Sequence, residues 1–176
     1  MFRKLLRLDT KKRISKKNLL RLYVIDELSR YIKDIDNLII LVDSLNKKLL
    51  RKLCWLLSEG RKNSVFKIIN DKRYKWTFEE VPVEKIYLRP MNPRMKKALE
   101  KYDYKLLQFS KSKEAKRFKE LEYDKEINRD ILLAGEKDGR IILIDGCHRA
   151  ISLVKEKKNP LKLIVGREKV KKEHIF

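Results

Sequence analysis

The sequence predicts an α+β protein, a mixed-sheet domain preceded by a basic α-helical segment, on three observations. Residues 140–165 read as strand, glycine turn, helix and strand in succession. Just ahead of them, a D-G pair between two apolar runs marks a hairpin. Up to about residue 76, by contrast, apolar residues recur at helical spacing and proline is absent. The expected division is 1–76 for the helical segment and 77–176 for the sheet domain.

In the helical segment, Leu19, Leu20, Leu22, Tyr23, Ile25, Leu28, Tyr31 and Ile32 follow helical spacing from Ser15 to about Lys33. Asp36-Asn37 punctuates the pattern. Residues 38–57 continue as one or two helices, ended by Glu59-Gly60, with the glycine as C′ residue. Val65, Phe66, Ile68 and Ile69 make a further short helix. This segment holds 21 Lys and Arg against eight Asp and Glu, which is most of the chain's net charge of +21. A basic helical surface of this kind suits either nucleic-acid binding or a solvated cap beside the second domain. With no recognition helix legible, the cap is the favoured reading.

The sheet domain begins at Trp76–Leu88, read as junction and first strand, with Pro82 near its start. Arg89 to Arg94, holding two prolines, is a rigid loop. Residues 95–107 have a helical pattern through Met95, Ala98, Leu99, Tyr102 and Leu106, with Lys96 and Lys97 in the first turn. Between Phe109 and Arg129 a charged helix with Phe118 and Leu121 inward is expected. Asp130 to Ala134 reads as a strand, Gly135–Gly139 as a hairpin loop, and Ile141–Ile144 as a strand buried on both faces. Ala150, Ile151, Leu153 and Val154 then fit a helix. It stops at Lys157-Lys158-Asn159-Pro160, and Leu161–Val165 is another strand.

Composition narrows the function classes. Gln occurs once, at Gln108, while Lys, Glu, Arg and Ile abound, a bias typical of proteins from hot environments. Cys54 and Cys147 form no C-x-x-C pair, and His148 and His174 are not at ligand spacing, so neither a disulfide framework nor a metal site is expected. The longest apolar run, Leu38–Val42, is too short for a membrane span, and residues 1–8 are no signal peptide. A soluble, cytoplasmic protein without a membrane partner is the expectation.

The turn after Ile144 carries the chemistry. It reads Asp145-Gly146-Cys147-His148-Arg149-Ala150, at the start of a helix whose free amides and positive dipole end face whatever lies above. Gly146 admits a close backbone approach, and His148 and Arg149 add donors, which together suit a phosphate. The glycine spacing is neither that of a Walker loop nor that of a dinucleotide fingerprint.

D-G-C-H-R-A in this setting resembles the signature of the ParB/sulfiredoxin-like superfamily, whose members place such a turn under nucleotide phosphates. Val81 to Arg94, V-P-V-E-K-I-Y-L-R-P-M-N-P-R, resembles the first strand and following loop of the same domain. The resemblance spans roughly 81–166 and implies three activities. Sulfiredoxins use a G-G-C-H-R turn in ATP-dependent sulfinic acid reduction, with the cysteine at the place of Cys147. The helix N-terminus, His148 and Arg149 would lower that thiol's pKa, whereas Asp145 would oppose a thiolate. ParB-like proteins bind CTP or DNA through such a box, but follow it with a long helical region for which this sequence has no room.

Free L-serine kinases of hot-environment archaea carry a D-G-x-H-R turn, and this is the closest match. The implied reaction is transfer from ATP or ADP, with Mg²⁺, to L-serine, giving O-phospho-L-serine for cysteine biosynthesis. Asp145 and His148 would be catalytic, with Asp145 also a candidate Mg²⁺ contact. Gly146, Cys147, His148, Arg149 and Ala150 would hold phosphate, while Arg89, Asn92 and Arg94 are candidates for the substrate. Those kinases place an acidic base just after the first strand, where this sequence has Arg89-Pro90-Met91-Asn92. The base is left open among Glu84, Glu120 and Glu122. Serine and a nucleotide are the expected partners, and nucleic acid is the less favoured one.

Overall fold

The computed structural model describes residues 13–29, 31–58, 64–90, 93–116 and 132–169. Its strands are β1 (Arg13–Ile14), β2 (Tyr74–Val81), β3 (Ile86–Leu88), β4 (Leu132–Lys137), β5 (Arg140–Asp145) and β6 (Leu161–Glu168). They are hydrogen-bonded in the order β1–β2–β6–β4–β5–β3, a mixed sheet in an α+β fold. The chain falls into two compact units. Thr77–Val165 belongs to one, and Arg13–Trp76 with residues 166–169 to the other, so the division cuts β2 and β6. Among the described residues, no helix is long and apolar enough to cross a membrane.

The helical unit holds α1 (Lys16–Leu28), α2 (Ile35–Ser44), α3 (Lys47–Ser58) and α4 (Ser64–Asn70). Ser15 caps α1, its hydroxyl accepting from the Asn18 amide. Asp34 caps α2 by accepting from Asn37, so Asp36 and Asn37, expected to punctuate, lie inside the helix. Asn46 accepts from the amides of Lys48 and Leu49, which starts a new helix two residues after the last and settles 38–57 as two helices. α1 is apolar and buried on most sides through Leu19, Leu20, Leu22, Val24 and Ile25. α3 buries a narrow stripe, Leu50, Cys54 and Ser58 at four-residue spacing.

In the other unit, β3 and β5 run parallel with Ile86 opposite Ile141 and Leu88 opposite Leu143. β4 and β5 are antiparallel, joined at Asp138-Gly139, both with positive φ (52° and 71°). That is a two-residue type I′ turn, so the expected five-residue loop is mostly strand. The expected strand at residues 76–88 is in fact two, β2 and β3, separated by a 3₁₀ turn at Val83–Lys85. The helix expected over 95–107 is also two, α5 (Pro93–Glu100) and α6 (Leu106–Ser110). Asp103 and Tyr104 adopt left-handed φ between them, and the Tyr104 carbonyl accepts from the Leu88 amide at 2.7 Å. This covers the edge strand β3 and offsets the strain of two non-glycine left-handed residues. Beyond α7 (Lys113–Lys116), the helix expected around Phe118 and Leu121 lies outside the described residues.

β5 alternates, with Ile141 and Leu143 buried and Ile142 and Ile144 half-buried, so only one face meets the core. That core includes Leu88, Leu99, Phe109, Leu132, Leu143, Ala150 and Leu163. On the other face the Arg140 guanidinium sits 5.3 Å from the centre of the Tyr87 ring. The strand buried throughout its middle is β6, from Leu163 to Val165.

Candidate active site

The helix α8 (Cys147–Lys155) starts directly after β5, with only Gly146 between them. Gly146 is its N-cap residue, at φ 86° and ψ 20°. This left-handed conformation disfavours a side chain, and space forbids one: a Cβ here would lie 2.7 Å from Leu132 Cδ2. It would also lie 3.4 Å from Nε and Nη2 of Arg149. The arginine therefore folds back over the turn, the direction in which helical side chains lean. There its guanidinium stands 3.7 Å from Asp145 Oδ2, and both side chains are largely buried. Carboxylate, glycine and guanidinium form one compact group, with the cation's charge beside the Asp145 carboxylate.

The first intrahelical bond of α8 runs from the Ala150 amide to the Gly146 carbonyl at 2.9 Å. Ala150, expected among the phosphate donors, thus spends its amide on the helix and its methyl on the core. The amides of Cys147, His148 and Arg149 precede that bond and belong to the dipole-bearing turn. His148 is half-buried in the same turn. At the far end, Lys157 (φ 61°) closes the helix, with Lys157 and Lys158 amides bonding Val154 and Leu153 carbonyls.

Because β3 and β5 are parallel, their carboxyl ends emerge on the same side, and this brings Arg89 to the turn. The Arg89 amide donates to the Cys147 sulfur, while its side chain is exposed. Arg94 lies in the first turn of α5, also exposed; Asn92 lies outside the described residues. Glu84 precedes β3 and so sits at the opposite, amino end of the parallel pair. There it accepts from Asn159 Nδ2 at 3.2 Å, while Asn159 Oδ1 accepts from the Val83 amide. This geometry removes Glu84 from the candidate bases. Glu120 and Glu122 lie outside the described residues, and Asp145 stands at the turn itself.

Cys147 differs most from expectation. Its side chain is buried, and burial pushes the thiol up to about 12, with the charge of Asp145 adding to the effect. The Arg89 amide and Arg149 pull the other way but do not prevail. A reactive thiolate needs access and a lowered pKa, and Cys147 has neither. Sequence reasoning also missed Leu132, whose methyl fills the space behind Gly146. An apolar residue in a strand carries no signal of such a contact.

Fold and turn together define the class: an α+β protein with a glycine-started helix at the carboxyl ends of two parallel strands. No protein-family model, curated protein or solved structure matches the chain.

Proposed function

We propose that the chain is a nucleotide-dependent phosphotransferase acting on a small hydroxyl substrate, in the first instance free L-serine. The observation that carries this reading is the turn itself. A left-handed glycine with no room for a Cβ brings backbone and Arg149 together at a helix N-terminus, beside a carboxylate. Phosphoryl transfer asks mainly for positioning and charge neutralisation, which these groups supply.

In this reading, the first-turn amides, His148 and Arg149 hold the transferring phosphate of ATP or ADP. Asp145 takes the proton of the serine hydroxyl as its oxygen bonds phosphorus and the bond to the leaving phosphate breaks. The exposed Arg89 side chain, at the carboxyl end of β3, is the candidate clamp for the serine carboxylate. Magnesium is held in proteins by one or two carboxylates plus substrate phosphates, so Asp145 with a bound nucleotide fits it. Bound there, the ion would neutralise phosphate charge.

The sulfiredoxin-like alternative requires Cys147 as nucleophile, and a buried thiol pushed up to about 12 works against it. The test is direct. Incubation with Mg²⁺, L-serine and each nucleoside di- and triphosphate should yield O-phospho-L-serine with at least one adenine nucleotide. Nucleotide hydrolysis without phosphoserine, or no turnover with any of them, would contradict the proposal.

A further inference from the structure

A second feature lies in the helical unit and plays no part in the phosphotransfer reading. Lys48, Arg51, Lys52 and Trp55 recur at i, i+3, i+4 and i+7 along α3 and so share one helical face. With Lys47 and the Phe66 ring of α4 they line a groove of about 570 Å³. Some cations are matched with acids, Arg21 with Asp43, Arg73 with Asp71 and Glu168, Lys101 with Glu114, while others among the described residues, such as Lys75 and Lys85, are not. Among the described residues, none of the four groove cations pairs with a carboxylate. A stability network of the kind found in proteins from hot environments would pair them. Trp55 keeps 40% of its surface exposed in the midst of these charges, although α3 has a buried stripe at Leu50, Cys54 and Ser58.

We infer that this groove binds single-stranded nucleic acid. Four clustered cations supply the backbone-neutralising charge, and an open indole offers a stacking face to a base, the pairing of features that single-strand sites use. Stacking does not depend on sequence, so the site is sequence-tolerant. An acidic peptide would be served by the cations but has no use for the exposed aromatic plane. Duplex DNA keeps its bases stacked inside and would leave Trp55 idle.

The protein carries its own probe. Of its two tryptophans, Trp76 is 1% exposed and Trp55 is open, so quenching of indole fluorescence on binding reports the groove. Titrating the full chain with a mixed-sequence single-stranded oligonucleotide should quench that emission. The logarithm of affinity should fall with the logarithm of salt with a slope of about −2.8, for four neutralised phosphates. Trp55→Ala should weaken binding about 5- to 150-fold, the worth of one stacked base, with the thermal melt unchanged. Lys48→Ala with Lys52→Ala should flatten the slope to about −1.4. The inference is overturned by Trp55→Ala binding as tightly as the parent chain. It is equally overturned by a duplex or poly-glutamate binding as well as the single strand, or by AMP alone binding as tightly as the oligonucleotide.

Discussion

Two glycines share a left-handed conformation but not its surroundings, and the difference gives the residue-scale test of the site. Gly139, at φ 71°, has nothing within 4 Å of the place a Cβ would take. Gly139→Ala should therefore cost only the left-handed penalty, about 1–2 kcal/mol. Gly146→Ala adds a contact of 2.7 Å with Leu132 and crowds Arg149, so its cost should exceed the other by a further ~1–3 kcal/mol. Urea unfolding of the two variants measures both; equal losses would mean that Leu132 does not define the turn. Cys147 gives a second test. With its sulfur buried and facing the backbone amides of Arg89 and of Cys147 itself, Cys147→Ser should keep phosphoserine formation within about tenfold of the parent. A loss beyond about 100-fold in a folded, nucleotide-binding variant would restore the thiol to the mechanism. The glycine at 146 was legible in the sequence because D-G after an apolar run has few other uses. The state of Cys147 was not, since its neighbours in the chain argued both ways, His148 and Arg149 for a lowered pKa and Asp145 against it, and burial, which only the fold supplies, decided the matter.

At the scale of elements, the break between α5 and α6 is held from the side-chain layer as well as from the backbone. Tyr102 donates its hydroxyl to Glu114 Oε2 at 2.8 Å, and Lys101 Nζ reaches Oε1 at 3.2 Å, tying the left-handed turn to α7. The Tyr102 ring also meets Phe109 edge-on at 5.8 Å. The Tyr102 hydroxyl first, then backbone and Lys101, hold the Glu114 carboxyl down at about 2 from its ordinary 4.5. A depressed carboxylate stabilises the fold above its unfolded pKa and loses that contribution as pH falls through the folded value. Glu114→Gln should therefore be less stable than the parent near neutral pH, with the gap closing between about pH 4.5 and pH 2. Thermal melts across that range measure it, and a gap constant with pH would show that the carboxylate charge is not what matters. Nothing in the sequence marked this break, because Asp103 and Tyr104 take the conformation usually given to glycine and the periodicity of residues 95–107 runs through it. The Asp138-Gly139 turn was legible because both residues favour positive φ. Strands β5 and β6 and helices α1, α3 and α8 announced themselves through long apolar patterns. The lengths of β4 and β5 did not, since pairing carried them into Lys137 and Arg140, which look like loop residues.

For the whole molecule, the α+β class followed from patterns that the fold kept, and the β5–α8 turn stands where the sequence put it. What the sequence could not convey is the convergence of elements. Parallel pairing of β3 with β5 brings Arg89 to Cys147 and carries Glu84 to the far end, although the two residues are close in the chain. In the proposed phosphotransfer site at this convergence, Asp145 acts on the acceptor hydroxyl. Asp145→Asn tests this most directly, read as nucleotide affinity and phosphoserine formation on the same sample. The expected result is nearly unchanged affinity and turnover lowered about 100- to 10,000-fold, the usual cost of losing a general base. Tighter nucleotide binding without any turnover in the parent would describe a binding module instead. Unchanged phosphoserine formation by Asp145→Asn would contradict the role assigned to this carboxylate.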